Sequence, residues 1–570
     1  AIRIVKLLLR RRLLGVKMWW WVLSVAVATL IVATTAKQTY ARFVRFRKWP
    51  SPSGTLPVLG NALAMAPALL RYMMREAKGQ RGSSFLVWPG GSSPMAVIAN
   101  AKAAKEVLGS VNSFPKGRDY MEIFGCVFGD GLVTSSGPTH ARARRLLGRF
   151  FVRATLEKEA EAIADTVDTC LEAFLTVDDA PMDMQELFHT ATLQIFGVSM
   201  LGVDMFRLGT PDCPLLGRNA TAADDDGKLL RARRELYAFA HTTTTTTRAS
   251  SSQQQLKEDM FLEPGEALRF LNNTVSSGSN VVGVHMVFGI PMSRAFPHVR
   301  RLETRRRQFA STLQTIIDAR RTALRRGDVR DDVLTALVRA ADEGDESGLP
   351  NLTDEQIGHQ LVTLLSAGHD TTAFLCCYSA FLLAKHPDVQ AALREELCSN
   401  DEKFVFATSL LKRVFQETLR LYPTIPCVTR CAAKDVKLPR YGDDSRDETL
   451  LVPRGTKVMV PFFILNRQPG VWGDDADDFK PDRWLALNGD TPSDGLMHPK
   501  LGFLPFAYGS RTCIGYNLSL VEGKIIFQHL LQSYDLSPVP NFKPRIKAGI
   551  SLTVENPHGI RVHFSKRPLR

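Results

Sequence analysis

The spacing of apolar residues constrains the fold of this 570-residue chain more than any other feature. Apolar residues recur three and four positions apart, the spacing that places them on one face of an α-helix. From Ala101 onward this pattern dominates, and it predicts helices at 156–175, 183–202, 303–325, 356–384 and 515–533. Shorter runs rich in β-forming residues predict strands at Phe85–Val87, Ala96–Ile98 and Lys457–Phe462. The sequence therefore predicts a mainly α-helical protein with small β-sheets.

The positive net charge of the chain is concentrated at its N-terminal end. The formal charge is +14, yet no Asp or Glu occurs before Glu76, and residues 1–75 hold 13 of the 72 Lys and Arg. The other 495 residues carry 59 basic against 58 acidic side chains. A basic patch on a folded domain is typical of nucleic-acid binding, whereas basic residues beside one apolar run are typical of a membrane segment. We expect a membrane as a partner and no nucleic acid.

The apolar run is Met18–Ala36, 19 uncharged residues that approach the ~20 needed to cross a bilayer as a helix. It begins with three tryptophans, which prefer the membrane interface. Five basic residues follow it: Lys37, Arg42, Arg45, Arg47 and Lys48. Because basic residues tend to stay on the cytosolic side, we predict a transmembrane anchor at 18–36 in the endoplasmic reticulum, with the rest of the chain in the cytosol.

Residues 1–17 leave other interpretations open. They form a basic extension with six Lys and Arg and no acid, which resembles an organelle transit peptide, so a plastid or mitochondrial membrane is the alternative location. Since Met18 stands just before the apolar run, we expect the natural start there. A cleaved signal peptide is a third interpretation, but the run is long for one and lacks a clear small-residue cleavage site.

Two further segments indicate how the rest of the chain is organised. Residues 37–57 are basic and then proline-rich, and because proline fixes φ and lacks an amide hydrogen, they predict a stiff hinge. Residues 58–570 are predicted to form one large domain. Inside it, six threonines at Thr242–Thr247 precede a Ser- and Gln-rich run. Such a stretch cannot bury enough apolar area to offset its ordering entropy, so 208–257 is predicted to be a disordered insertion.

One of the nine cysteines stands in a segment that indicates chemistry. The nine are odd in number and lack the paired spacing of a zinc site or the density of a disulfide scaffold, so they indicate a reduced protein. Cys513 lies in the decapeptide Phe506–Gly515, FAYGSRTCIG, just before a predicted helix. Both Arg511 and a helix N-terminus favour the metal-binding thiolate over the thiol. The alternative interpretation is an ordinary buried cysteine.

The decapeptide matches the haem-binding signature FxxGxRxCxG of the cytochrome P450 family at every fixed position, and the chain resembles that family from about Trp49 to Leu536. The resemblance implies the cytochrome P450 fold and one haem b, iron protoporphyrin IX. It also implies that Cys513 is the axial ligand of the iron, that Arg511 pairs with a haem propionate, and that Phe506 packs beside the sulfur. Thiolate ligation in this family favours cleavage of the O–O bond of dioxygen.

A second motif is the pair Glu417 and Arg420, whose spacing puts both charges on one helix face. A surface salt bridge looks the same and is commoner. However, Arg483 follows in the segment Pro481–Trp484, at the interval where the family has a second arginine. The resemblance implies that Glu417, Arg420 and Arg483 form a charged cluster behind the haem, with a structural role.

The third motif, Ala367–Thr372, lies within the long apolar helix predicted from about Ile357 to Ala384. Its small Ala and Gly residues would let a flat ligand lie against the helix, and an acid inside an apolar run is otherwise costly to bury. The resemblance implies that Asp370 and Thr371 relay protons during oxygen activation. The alternative is a helix bent by a threonine that bonds back to a carbonyl. We assign no role to His369.

Three more residues resemble haem-propionate partners of the family. Arg144 lies four residues after His140, where the family usually has tryptophan, and Arg430 follows Pro426. The resemblance implies that His140, Arg144 and Arg430 bind the propionates. The alternative for each arginine is an ordinary surface position.

The family resemblance implies a membrane-bound monooxygenase that hydroxylates a lipophilic substrate. It would use dioxygen and electrons from NADPH, delivered through a flavoprotein reductase. One alternative is a haem-thiolate isomerase or dehydratase that acts on a hydroperoxide without a reductase, although such relatives often lack the pair at Asp370 and Thr371. Another alternative is a haem-binding sensor. Segments at Met182–Phe188 and Leu438–Gly455 resemble fatty-acid hydroxylating branches, while sterols, terpenoids and xenobiotics stay open as substrates.

Overall fold

The computed structural model describes residues 44–205, 297–399, 410–441, 448–487, 496–548 and 552–568, with short gaps inside the first and last ranges. The predicted extension at 1–17, the anchor at 18–36 and the insertion at 208–257 lie outside these residues. Among the helices that are described, none is both long enough and apolar enough to cross a bilayer.

Helices make up most of the described chain. The α-helices are α1 Leu69–Gly79, α2 Ala101–Gly109, α3 Gly137–Gly148, α4 Arg153–Lys158, α5 Ala160–Phe174, α6 Met184–Ile195, α7 Pro297–Arg325, α8 Val333–Asp342, α9 Asp354–Lys385, α10 Pro387–Ser399, α11 Leu410–Leu421, α12 Phe462–Leu465, α13 Pro469–Trp472, α14 Arg483–Leu487 and α15 Tyr516–Ser533. A π-helix, Phe196–Leu201, extends α6, and short 3₁₀ turns occur at Arg149–Phe151, Pro499–Leu501 and Gly509–Arg511.

The described strands are short and form four small sheets. They are β1 Phe85–Val87, β2 Met95–Val97, β3 Pro181–Asp183, β4 Cys427–Cys431, β5 Val436–Pro439, β6 Thr449–Val452, β7 Lys457–Pro461, β8 Tyr534–Pro538, β9 Ile546–Ala548, β10 Leu552–Val554 and β11 Arg561–Lys566. The strand orders are β1-β2-β7-β4, β3-β11-β8, β5-β6 and β10-β9. Only β2 and β7 pair in parallel among them, with Met95 opposite Lys457.

The structure confirms the predicted mainly helical class with small sheets. Four of the five predicted helices correspond to α6, α7, α9 and α15, and the three predicted strands to β1, β2 and β7. The single helix predicted at 156–175 was wrong at its start, because α4 ends at Lys158 and α5 begins at Ala160. The prediction of one α-helix at 183–202 was wrong at its end, because Phe196–Leu201 widens into a π-helix. The wider turn accompanies the packing of Phe196 against Gly368 of α9. The spacing of apolar residues in a sequence does not distinguish a π-helical turn from an α-helical one.

The helix α9 lies at the centre of the core. It begins with a capping box in which Thr353 accepts from the Gln356 amide and the Gln356 side chain accepts from the Thr353 amide. Every residue from Thr372 to Ala384 is buried. The helix packs against α6, α7, α8, α11 and α15. Full burial of each large apolar side chain contributes about 1.5–3 kcal/mol, so this helix is a main source of stability.

Candidate functional site

The decapeptide Phe506–Gly515 folds into a tight loop whose backbone is closed by a hydrogen bond. The Cys513 amide donates to the Phe506 carbonyl at 2.9 Å. Gly509 has φ +78°, and a Cβ there would lie 3.1 Å from Gly109 Cα at the end of α2. Ala507 also has a positive φ of 62°, a conformation that costs a non-glycine residue about 1 kcal/mol. The loop therefore requires the glycine and holds the alanine under strain.

Cys513 presents an exposed side chain from this loop. Burial among protein atoms raises the pKa of its thiol, whereas a hydrogen bond from the Gly515 amide and the charge of Arg144 oppose that shift. The helix α15 begins three residues later at Tyr516, and a helix N-terminus favours an anion. The ring of Phe506 packs edge-on against that of Tyr516, with centroids 4.8 Å apart. Cys513 is thus an exposed residue whose thiolate is disfavoured by the surrounding protein atoms and favoured by the Gly515 amide, Arg144 and the start of α15.

Basic side chains converge near this cysteine. They are Lys116, His140, Arg144, Arg430 and Arg511. Burial lowers the pKa of Lys116 to about 7, and the charges of Arg511 and Arg430 add to that effect. Burial also lowers the pKa of His140 to about 4, together with the charges of Arg511, Lys116 and Arg144. The groups repel one another, so they form one electrostatic cluster, here called the cation cluster.

The partners of the cation cluster are backbone carbonyls. Arg430 Nη1 donates to the Thr429 oxygen at 2.8 Å, and Arg511 Nη1 donates to the Ser135 oxygen at 3.0 Å. Lys116 Nζ donates to the Val133 oxygen. Within the part of the chain that the structure describes, no carboxylate forms an ion pair with any of the five residues. Because uncompensated buried charge is costly, this cluster indicates a binding site for an anion.

Sequence reasoning found four members of this cluster and missed Lys116. The structure brings together His140, Arg144, Arg430 and Arg511, which lie on α3, on β4 and in the decapeptide loop. Lys116 lies in an irregular segment after α2, and no motif marks it. Tyr120, also missed, is partly buried beside Arg430 and Arg511; desolvation raises the pKa of its phenol to about 12, and the two arginine charges oppose the shift.

The motif Ala367–Thr372 presents two different surfaces of α9. Ala367 is exposed in the middle of an otherwise buried helix, and Thr371 is partly exposed. The Thr371 hydroxyl donates to the Ala367 carbonyl at 2.9 Å. Gly368 instead faces the π-helix, where a Cβ would lie 2.6 Å from Phe196 Cδ2. The expectation that both small residues face a flat ligand was therefore wrong for Gly368, whose missing side chain admits Phe196.

Asp370 is buried and turned toward α6. Its Oδ1 lies 3.2 Å from Nε2 of His189, and His189 Nδ1 lies 2.8 Å from the Gln185 carbonyl oxygen. The neighbouring His369 bonds to the Leu365 carbonyl, and burial lowers its pKa to about 4. The structure thus separates Asp370 from Thr371, which lies on the exposed side of the helix. Sequence reasoning missed His189, because a lone histidine in a predicted helix carries no motif.

Glu417, Arg420 and Arg483 meet in a second charged cluster, here called the paired cluster. Both oxygens of Glu417 accept from Arg420, at 2.8 and 2.9 Å, and Oε1 also accepts from Arg483 at 2.9 Å. The Trp484 indole and the Lys480 amide donate to the same carboxylate. The side chains of Glu417 and Arg420 are fully buried. Nearly all donors and acceptors are satisfied, so this network is closed to a ligand.

The accessible cysteine and the cation cluster fit a haem. Two propionates would neutralise the cations, and the thiolate of Cys513 would supply one axial ligand. Among the described residues, no group of three or more His, Cys, Asp or Glu is placed to hold a metal ion. A metal at Cys513 would therefore need other ligands, such as the four nitrogens of a porphyrin.

The chain is similar in sequence to several known proteins. A relative from Caenorhabditis elegans, CYP13A1, is 35% identical over 223 residues, covering 38% of this chain and 40% of that protein. The 11-oxo-beta-amyrin 30-oxidase of Glycyrrhiza uralensis is 31% identical over 283 residues, covering 47% of this chain and 50% of that protein. Alkane hydroxylase MAH1 of Arabidopsis thaliana is 34% identical over 211 residues, covering 35% of this chain and 40% of that protein.

These alignments span about half or less of each curated relative. The family profile covers far more of the sequence. The profile described as Cytochrome P450 matches residues 50–562, which include the decapeptide loop, α9 and both charged clusters. Because the match covers most of the chain, the chain belongs to the cytochrome P450 family.

Proposed function

We propose that this protein is a membrane-bound haem-thiolate monooxygenase that hydroxylates a lipophilic substrate. The single observation that carries the proposal is the accessible Cys513 beside a cation cluster that lacks carboxylate partners within the described residues. In this role Cys513 would bind the iron through its thiolate, and His140, Arg144, Arg430 and Arg511 would hold the propionates. Lys116 joins them. Phe506 supports the loop in two ways: its ring packs on the ring of Tyr516, and its backbone carbonyl accepts a hydrogen bond from the Cys513 amide.

When bound, the haem would use two electrons and two protons to split dioxygen, leaving one oxygen atom in the substrate and one in water. The chain's own residues then have to deliver those protons. The Thr371 hydroxyl is partly exposed on α9 and can hold a proton donor in place. Asp370 is the acid next to it in sequence. We assign the alcohol and acid roles to Thr371 and Asp370.

The paired cluster of Glu417, Arg420 and Arg483 has a structural role in this proposal. Arg420 also donates to the carbonyl oxygens of Asn466 and Asp478, at 3.1 and 3.0 Å. It therefore joins α11 to the segment that leads to α14. A buried guanidinium with this many partners fixes backbone positions and has no free donor for a substrate.

The proposed substrate class is supported by the names of two relatives. One relative is named for an alkane and another for a triterpenoid, both of which are lipophilic. We propose a lipophilic substrate here too, with fatty acids as the first class to test. Electrons would come from NADPH through a flavoprotein reductase. Arg145 on α3 and Arg149 in the turn after it are exposed, and their positive charges are suited to an acidic partner. Residues 18–36 would hold the protein in the endoplasmic reticulum membrane, with the catalytic domain in the cytosol.

The ligand assignment is tested by the ferrous carbon monoxide spectrum of the purified protein. The wild type should bind one haem and show the red-shifted Soret band of thiolate ligation, and Cys513→Ala should lose that band. Cys398→Ala is the matched control, because Cys398 is also a free, exposed cysteine. Retention of the thiolate band in Cys513→Ala would show that another residue is the ligand.

The reaction class is tested by adding reductase, NADPH and candidate lipids. A monooxygenase should consume NADPH faster when its substrate is present and should form a hydroxylated product. A hydroperoxide isomerase should turn over without reductase, and a sensor should bind without turnover. Either of those two outcomes would replace the proposed reaction while leaving the family unchanged.

A further inference from the structure

Two side chains on one side of α6 and its π-helical extension contact the turn of α9 that carries the motif Ala367–Thr372. Phe196 fills the space beside Gly368, where a Cβ would lie 2.6 Å from the Phe196 Cδ2 atom. The Thr192 hydroxyl donates to the His369 carbonyl oxygen at 3.0 Å. Because residues four apart lie on one side of a helix, both contacts reach α9 from the same direction.

The hydroxyl of Thr192 has one hydrogen and two acceptors. It lies 2.8 Å from the Phe188 carbonyl oxygen of its own helix and 3.0 Å from the His369 carbonyl oxygen of α9, and the residue is completely buried. A buried threonine is commonly satisfied by a bond back to its own helix alone. The second acceptor is therefore more than Thr192 itself requires, and this contact fixes α9 against α6.

The segment that carries Phe196 is held on its other side by two arginines. In the π-helix the carbonyl oxygen of Val198 accepts from Arg330 Nη2 at 2.9 Å, and that of Leu201 accepts from Arg320 Nη2 at 3.0 Å. Arg320 also pairs at 2.9 Å with the buried aspartate that caps α8. Phe196 therefore cannot move away from α9 without breaking contacts with α7 and α8.

The contacts with α6 decide which residues of α9 lie on its accessible side. Successive residues of an α-helix are about 100° apart, so Ala367 and Thr371, each two positions from His369, lie on the opposite side of the helix from it. His369 is fully buried, whereas Ala367 is exposed and Thr371 is partly exposed. A rotation of α9 about its own axis would turn Thr371 away from the accessible side.

We propose that Thr192 and Phe196 form a clamp that sets the rotation of α9, and that they are positioning residues for Thr371. Phe196 limits how closely Gly368 approaches α6, and the Thr192 hydroxyl fixes the carbonyl next to it. Both side chains are buried, so they act on the reaction only through α9. This inference rests on the proposed monooxygenase function, since that reaction is the one that uses the Thr371 hydroxyl.

Hydrogen exchange in the resting, haem-loaded protein tests the clamp without turnover. Thr192→Val keeps the shape of the side chain and removes its hydroxyl. Amide exchange in residues 367–374 should then become about twofold to tenfold faster, which corresponds to the loss of one neutral hydrogen bond. Thr192→Ser keeps the hydroxyl and should exchange like the wild type. Wild-type exchange rates in Thr192→Val would overturn the inference.

Thr166→Val is the matched control for this experiment. Thr166 is also a buried threonine, and its hydroxyl donates to the Ala162 carbonyl oxygen of its own helix α5 at 2.8 Å. Its loss should leave exchange in residues 367–374 unchanged. Equal acceleration in Thr166→Val and Thr192→Val would mean a general loss of stability and would also overturn the clamp.

The contact between Phe196 and Gly368 is tested by exchanging the sizes of the two side chains. Gly368→Ala places a methyl group against the ring of Phe196, and such overpacking forces neighbouring groups to shift. This variant should form less product per NADPH and release more hydrogen peroxide. Phe196→Val removes the ring atoms nearest to the new methyl group, so the double variant should recover product. A double variant as impaired as Gly368→Ala would contradict the clamp at this contact.

Turnover of the threonine variants separates positioning from stability. Thr192→Val should form about twofold to tenfold less product per NADPH, whereas Thr192→Ser and Thr166→Val should match the wild type. In a Thr371→Ala background, Thr192→Val should cause no further loss, because both residues act in one path. A further loss would show that Thr192 acts independently of Thr371 and would overturn the inference. If the wild type forms no product, the proposed function is rejected, and the exchange experiment alone decides on the clamp.

Discussion

The two charged clusters of this protein differ in how their charges are balanced. In the paired cluster, one carboxylate, Glu417, accepts hydrogen bonds from Arg420 and Arg483 and from an indole and a backbone amide. In the cation cluster, Lys116, Arg430 and Arg511 repel one another and donate to backbone carbonyls. Glu417 and Arg420 are fully buried, whereas in the cation cluster Arg430 is buried and the other four residues are partly buried, so desolvation of charge costs free energy in both.

The difference shows which cluster is complete. A buried ion pair with all of its partners present stabilises the positions of the elements that carry it, and removing one partner leaves an uncompensated charge. A buried group of like charges is completed only by something of opposite charge that comes from outside. The paired cluster is therefore complete within the fold, and we propose that the cation cluster is completed by the propionates of a haem. Substitutions in the two should have opposite signatures.

The largest effect should come from breaking the paired cluster. Glu417→Gln leaves Arg420 buried without its carboxylate, and losing one partner of a buried pair costs about 3–5 kcal/mol. Thermal unfolding of the haem-loaded protein should shift to much lower temperature. Glu395→Gln on α10 is the control, because Glu395 is exposed. Equal unfolding temperatures for the two variants would contradict a structural role for this cluster.

A smaller and different effect is expected for Arg430→Met in the cation cluster. Loss of a hydrogen bond from a charged donor costs about 1.5–3 kcal/mol, so haem should dissociate about tenfold to a hundredfold faster. The stability of the haem-free protein should not fall, because one repelling charge is removed. Transfer of haem to an acceptor protein measures the first quantity and denaturant unfolding the second. Arg75→Met, at an exposed arginine, is the control.

Lys116 should make haem binding dependent on pH. Its pKa is about 7 without the anion, and a propionate beside it should raise that value. Because the bound-state pKa is the higher one, the contribution to affinity is complete below pH 7 and is lost as the pH rises above it. Lys116→Met should abolish this component, worth about tenfold in the dissociation rate. Lys78→Met, at an exposed lysine, should keep it.

If the dissociation rate of the wild type does not change between neutral and alkaline pH, Lys116 is not a propionate partner. Arg144, Arg430 and Arg511 would then be the cations that bind the propionates.

The smallest effect should be seen at an exposed pair. Arg149 Nη2 lies 3.1 Å from Asp331 Oδ1, and both side chains are mostly exposed. Solvent screens such pairs, which contribute about 0–1 kcal/mol. Arg149→Ala should leave the unfolding temperature and haem retention close to the wild type, and so provide the baseline for the two buried clusters. A large loss of stability in Arg149→Ala would contradict the view that an exposed ion pair contributes less to stability than the paired cluster.

Much of the fold could be predicted because its helices have strong local patterns. Long apolar or amphipathic runs predicted α9 and α15 to within two residues, whereas α7 begins six residues before its predicted start and the helix predicted at 156–175 is interrupted between α4 and α5. The type of turn at Phe196–Leu201 could not be predicted, since it reflects packing of Phe196 against Gly368, 172 positions away in the chain. The role of Gly368 could not be predicted for the same reason. The sequence predicted that its small size admits a flat ligand, whereas in the structure it admits the ring of Phe196.

The sequence by itself determined the residues whose spacing encodes their chemistry. The decapeptide around Cys513 is contiguous, and its loop geometry depends on local positions such as Gly509. The tertiary structure decided which distant residues join them. Lys116 reaches Arg430 and Arg511, and His189 reaches Asp370, only because separate helices and strands pack side by side. Electrostatic and hydrogen-bond contacts act over a few ångströms in space, and the order of residues along the chain does not report those distances.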